Sequence, residues 1–183
     1  MKKGLVSGQI VQPYAEAIMA VANEHDLAQV FGETMRALQN LSEESQEMRD
    51  FFQSPVIKAQ DHKAVLMSIC GEDTNAYLKN FLMLLIDKGR IAFLADICEQ
   101  YLELLREQTN TVLAEVSSAT ELNDSQKSAI TDRVKSMTSA QEVELKTRID
   151  PNLIGGVIVK VGSQVLDASL RGQLRRISLS LSA

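Results

Sequence analysis

Tryptophan is absent and all aromatic residues together make up only 4% of the chain. That argues against the stacking platforms on which single-stranded RNA is read. Cysteine occurs twice, as Cys70 and Cys98, with no CxxC between or around them. A disulfide framework or zinc knuckle is excluded, and each cysteine reads as a buried, reduced thiol within an apolar helical pattern. The two histidines, His25 and His62, stand far apart, without HxxxH or HExxH spacing, so no metal site is expected. Long apolar runs are also missing. The longest, Phe81 to Ile86, falls well short of the ~20 residues that cross a bilayer. Met1-Lys2-Lys3 is basic, but the stretch after it is too short and polar for a signal peptide. With 3 prolines and 9 glycines in 183 residues, collagen-like and proline-rich architectures are ruled out. Hydrophobic residues at 45% and charged residues at 23% describe an ordinary globular chain.

Nor is there an excess of positive charge. The net charge is −5, so nucleic acid is not an expected partner. The charge is uneven. Residues 1–110 hold 10 Lys+Arg against 16 Asp+Glu, net −6, whereas residues 111–183 hold 9 against 8, net +1.

What is present is helical periodicity, which then changes. Ile10, Tyr14, Ala17, Ile18 and Val21 fall on one face of a helix from about Gln9 to His25, with Pro13 expected in its first turn. Leu27, Val30, Phe31, Thr34, Leu38 and Leu41 mark a second helix. The Ser42–Ser45 segment caps a short third one, which ends near Phe52 before Ser54-Pro55. A fourth covers Asp61 to Ile69 and stops at Gly71. A fifth, capped by Asp73 or Thr74 and running to about Asp87, is apolar nearly all round, so it is either wholly buried or keeps one face for a partner. A sixth runs from Ile91 to about Gln108. From Thr111 the period becomes two: strands at 111–117, 143–149, 157–161 and 164–167, the last pair joined through Gly162-Ser163, with a helix after Asn123 and a final one from near Ser169. The expected architecture is an all-α six-helix bundle over residues 1–109, followed by a small α+β domain over residues 110–183.

No catalytic constellation accompanies this pattern. There is no GxxxxGK[ST] phosphate loop and no GxSxG elbow. Gly155-Gly156 leads into a strand rather than a helix N-terminus, so it reads as a position of close strand or helix packing, or as a bulge. The carboxylates at Glu43, Glu44 and Glu47 read as solvated surface. Arg171, Arg175 and Arg176 form a small basic patch suited to acidic residues. A binding or structural protein is favoured over an enzyme, and no cofactor is expected.

Four motifs in order then carry a resemblance over essentially the whole chain. They are Pro13-Tyr14-Ala15-Glu16-Ala17, the run FLMLLIDKGR from Phe81 to Arg90, VELKTRIDPNLIGGVIVKVG from Val143 to Gly162, and Asp167-Ala168-Ser169-Leu170-Arg171-Gly172-Gln173-Leu174. The sequence resembles the delta subunit of F-type ATP synthases, the bacterial and chloroplast counterpart of the mitochondrial oligomycin-sensitivity-conferral protein. The resemblance implies a non-catalytic stator subunit, one copy per complex, that couples proton flow to ATP synthesis. It implies that the helical bundle grips the N-terminal helices of the alpha subunits on the catalytic head. It further implies that the C-terminal domain holds the distal ends of the peripheral-stalk b-type subunits. The residues matched to those roles are Tyr14, Ala15, Ile18, Phe81, Leu84 and Leu85 for the head, and Leu170, Arg171, Leu174 and Arg175 for the stalk, with Leu170, Leu174 and Ile177 expected to pack on the strands while Arg171 and Arg175 meet stalk carboxylates. Membrane contact is then made only through the complex, on the cytoplasmic or stromal face of an energy-transducing membrane. The wording PYAEAIMAVA is similar to cyanobacterial members, which points to a thylakoid. A helical adaptor of an unrelated complex is the alternative reading. A stator link that stays bound at nanomolar concentration needs ~12 kcal/mol, normally an interface of ~1,600 Å². More than one alpha N-terminus is therefore expected to be engaged.

Overall fold

The computed structural model describes residues 3–54, 56–71, 74–138 and 140–174, and the chain divides into two compact units, residues 1–105 and 106–183. The first unit is helical: α1 (Lys3–Glu24), α2 (Ala28–Glu44), α3 (Gln46–Gln53), α4 (Ala59–Cys70), α5 (Ala76–Asp87), a single 3-10 turn (Ile91–Phe93) and α6 (Leu94–Gln108). The division falls inside α6, between Leu105 and Arg106, a few residues before the boundary expected from the change of periodicity.

Local chemistry sets the helix ends. Ser45 caps α3 by accepting from the Met48 N–H at 3.1 Å, and Gly71 closes α4 at φ +74°. Two expectations are corrected. The cap of α5 is Asn75, whose side chain accepts from the Tyr77 N–H at 2.9 Å. Thr74 instead bonds back to the Cys70 carbonyl, and Asp73 lies outside the described residues, as does Pro55. Pro13 does not open α1 but sits inside it, since the helix begins at Lys3. Helix continues through the proline because the buried side chains of Val11, Ala15, Ile18 and Met19 anchor the following turns in the core.

That core runs through all six helices, with Phe31, Met35, Leu66, Leu78, Leu82, Leu85, Ile97 and Tyr101 fully buried. Gly32 lets α2 and α6 approach: a Cβ there would lie 2.5 Å from Leu105 Cδ2. The Tyr101 hydroxyl donates to the Ala28 carbonyl at 2.9 Å, and burial pushes its pKa up to about 12.

The second unit contains β1 (Thr111–Ser118), α7 (Asp124–Thr138), β2 (Glu142–Ile149), β3 (Val157–Val161) and β4 (Gln164–Asp167). The sheet order is β2-β1-β3-β4, with β1–β2 parallel and the other pairs antiparallel. A parallel pair requires a crossover, and α7 supplies it. Asn123 and Gln126 cap α7 reciprocally: the Gln126 N–H donates to Asn123 Oδ1 at 2.8 Å and the Asn123 N–H to Gln126 Oε1 at 3.0 Å. Ala114, Val116 and Val159 from the sheet form one core with Val134 of α7 and Leu122. Partly buried Val143, Leu145, Val157, Val161 and Leu166 extend it. A helical turn over 170–174 follows β4. The continuation expected through Arg176, Ile177 and Leu181 lies outside the described residues.

Candidate partner-binding surfaces

α5 has more apolar side chains than the core uses. Leu78, Phe81, Leu82, Leu85 and Ile86 are buried, yet Leu84 stays 43% exposed and Tyr77 47%. Both exposed residues share a stripe with Phe81, at i, i+4 and i+7 from Tyr77. α1 lies beside this stripe. The Tyr14 ring meets Phe81 edge to face, with centroids 6.4 Å apart, and His25 stacks on Tyr77 at 4.3 Å. The result is a ridge with partly buried Tyr14 and Val21, exposed Ala17, Tyr77 and Leu84, and a floor set by the core.

The six residues matched to head binding therefore separate. Ala15, Ile18 and Leu85 are 0–2% exposed and Phe81 is 9% exposed, so their side chains are taken up by packing. Tyr14 and Leu84 carry surface. The sequence does not single out Tyr77, because a helix apolar on every side has no period from which to pick its outer stripe; the i, i+4, i+7 spacing through Phe81 is the available signal.

In the second unit, the loop before β3 and the turn after β4 are clasped together. The Ala168 N–H donates to the Val157 carbonyl and the Leu170 N–H to the Gly155 carbonyl, both at 3.0 Å. Gly156, at φ +78°, lies so close that a Cβ would collide with the Ala168 carbonyl oxygen. Asp167 Oδ1 accepts from the Ser169 N–H at 2.9 Å and from its hydroxyl at 2.6 Å, and Ser169 Oγ accepts from the Gly172 N–H at 3.0 Å. Any side chain on Gly172 would run into the Asp167 carboxylate. Asp167, Ser169 and Gly172 of the fourth motif thus build the turn. Leu170, Arg171 and Leu174 of the same motif are exposed, as are Ile149 and Ile154 nearby in sequence. Arg175 lies outside the described residues. The Asp150 carboxyl is held below the ordinary carboxylate range, first by the Asn152 backbone N–H and amide and then by the charges of Arg148 and Arg171.

The chain as a whole matches the family model for the ATP synthase delta (OSCP) subunit over residues 10–181. It belongs to that family. Among relatives of the delta/OSCP family, "ATP synthase subunit delta" of Gloeothece citriformis is 58% identical, with 99% of this chain and 98% of that protein aligned. The protein of the same name from Synechocystis sp. is 54% identical, over 99% and 98% of the two chains. A chain in the cryo-EM structure of the Toxoplasma gondii mitochondrial ATP synthase hexamer shares the fold, with a TM-score of 0.68 at 21% identity, covering 95% of this chain and 98% of that one.

Other chemistry-bearing groups serve the delta/OSCP fold. His62 is buried against the rings of Phe51 and Phe52, and its Nε2 is 3.0 Å from the Phe51 carbonyl oxygen, which identifies that nitrogen as the donor. Cys98 is fully buried with its Sγ 3.4 Å from Met35 Sδ, and burial pushes its thiol up to about 12, with Cys70 adding to the effect. Half-buried Cys70 is raised by burial and lowered in part by Lys79. Neither thiol is poised as a nucleophile. No helix among the described residues is long and apolar enough to cross a membrane.

Proposed function

We propose that this protein is a non-catalytic stator subunit, joining the top of the catalytic head to the peripheral stalk so that proton translocation drives ATP synthesis. The observation that carries the reading is the surplus apolar ridge of α1 and α5. Tyr14, Tyr77 and Leu84 present a strip along two helices, the shape into which an amphipathic helix lays its apolar face. Residues 1–109 then grip the N-terminal helices of the alpha subunits, and residues 110–183 take the distal ends of the b-type subunits. Ala15, Ile18, Phe81 and Leu85 hold the ridge in shape from beneath. At the other unit, Leu170, Leu174 and Arg171 meet an apolar and acidic stalk surface, and Arg175 extends that contact. The membrane, on its cytoplasmic or stromal face and a thylakoid in a cyanobacterium, is reached only through the complex.

Titration calorimetry against a catalytic head stripped of its own delta subunit tests the head-binding half. Tight one-to-one binding is expected. Leu84→Asp leaves the core intact, since the side chain is already exposed, and weakens binding by about 2–4 kcal/mol, the range of an interface hot spot. One strip of this size falls short of the ~12 kcal/mol of a nanomolar link, so deletion of alpha N-termini one at a time is expected to lower affinity in more than one case. Absence of binding to the head leaves an adaptor of another complex as the better account.

A further inference from the structure

A concavity lies on the helical unit, apart from the α1–α5 ridge. α2 and the end of α4 enclose an open cleft of about 520 Å³, lined by Glu33, Ala37, Asn40, Leu41 and Glu44 on one side and by Ile69, Cys70 and Thr74 on the other. The first side is one helical stripe. Glu33, Ala37, Asn40 and Glu44 stand at i, i+4, i+7 and i+11, so the two carboxylates point the same way about 16 Å apart. Between them the floor is apolar, formed by Ala37, Leu38, Leu41 and Ile69. Both glutamates are exposed, and among the described residues neither has a hydrogen-bond or ion-pair partner. Lys79 of α5 acts on the Cys70 wall, whereas the α2 wall carries only negative charge.

The geometry points to this cleft as a docking site for a basic amphipathic helix, about three turns long, with a Lys or Arg at each end of its apolar stripe. The apolar stripe meets Ala37, Leu41 and Ile69 while the two cations reach Glu33 and Glu44. A neutral or acidic helix of the same shape leaves both carboxylates facing apolar or like-charged groups, so charge selects the occupant. The site is separate from the α1–α5 ridge, and the inference holds whether or not the ridge binds the head.

Fluorescence anisotropy of a labelled helical peptide on the full chain tests it. The probe carries leucines on one stripe and two lysines spaced as Glu33 and Glu44 are; a control carries glutamates at the lysine positions. The lysine probe is expected to bind at least tenfold more tightly than the glutamate control. Glu33→Lys combined with Glu44→Lys, two exposed positions that leave the core untouched, is expected to reverse that preference, and Ala37→Arg to block the lysine probe. Leu84→Asp is expected to change nothing. Equal binding of the two probes, indifference to the double reversal, loss of binding on Leu84→Asp, or no binding of the lysine probe each overturns the inference.

Discussion

Gly156→Ala should damage the second unit far more than the loss of a glycine normally does. Two costs add. The residue sits at φ +78°, where an L side chain costs roughly 1–2 kcal/mol. The new methyl also meets backbone: the Ala168 carbonyl oxygen, Ser169 Cα at 2.9 Å and Ala168 C at 3.2 Å. Those atoms cannot step aside cheaply, because the Ala168 and Leu170 amides on either side of Ser169 are held by Val157 and Gly155. Overpacking against fixed atoms adds about 1–3 kcal/mol, for a total of about 2–5 kcal/mol. Gly162→Ala is the control. It shares the positive φ, +56°, but nothing lies within 4 Å of the place its methyl would take, so it should cost only the ~1 kcal/mol of backbone strain. Urea unfolding followed by circular dichroism, with hydrogen exchange at the β1 amides to isolate the second unit, measures both. Two alanine variants that agree within ~0.5 kcal/mol would refute the claim that the clasp between residues 155–156 and 168–170 is rigid.

Other outcomes follow from the helical unit. Pro13→Ala restores an intrahelical N–H in the middle of α1 and should stabilise the protein by about 1–3 kcal/mol, read as a higher midpoint in thermal unfolding. Cys98 has a folded pKa of about 12 against a reference value of 9.0. Below pH 9 the folded and unfolded chains hold the same proton. Above it the unfolded chain releases the proton first, so stability should fall between pH 9 and about 12, by up to ~1.4 kcal/mol per pH unit from this group. Tyr101, also raised to about 12, adds the same sign above pH 10. Comparing urea midpoints at pH 8 and pH 10.5 for the unsubstituted chain and Cys98→Ala should show the smaller drop in the variant.

The order of the elements is legible in the sequence because apolar spacing reports period directly. The change from Leu94, Ile97, Tyr101, Leu105 to Val112, Ala114, Val116 marks helix giving way to strand. The departures are local. Proline is commonest at a helix start, which is where periodicity puts Pro13; only the depth of Ala15 and Ile18 in the core explains why helix continues on both sides of it. At α5 the sequence pattern puts the cap at Asp73 or Thr74, whereas Asn75 takes that role, because the choice depends on backbone geometry that composition does not encode. The apolar ridge is readable in the sequence as a pair of helices but not as side chains. Leu84 and Leu85 are chemically identical neighbours, yet one is 43% exposed and the other fully buried. The cleft between α2 and α4 is not legible at all. Its stripe on α2 looks like an ordinary solvated face until Ile69 and Cys70 are brought alongside it.

The position of β1 inside the sheet has a consequence for biosynthesis. β1 is the first strand made, but its two neighbours, β2 and β3, come later in the chain, and β4 closes the edge last. Every pairing in the second unit therefore waits for sequence far downstream of β1, and the loop closures required make such pairing slow. The helical unit has no such dependence, because residues 1–105 contain its whole core. Domains on a ribosome fold in the order they emerge. The six-helix unit can thus be complete while β1 is still an unpaired strand, and a destabilising change in the last strands should leave a nascent chain with its helical half already formed.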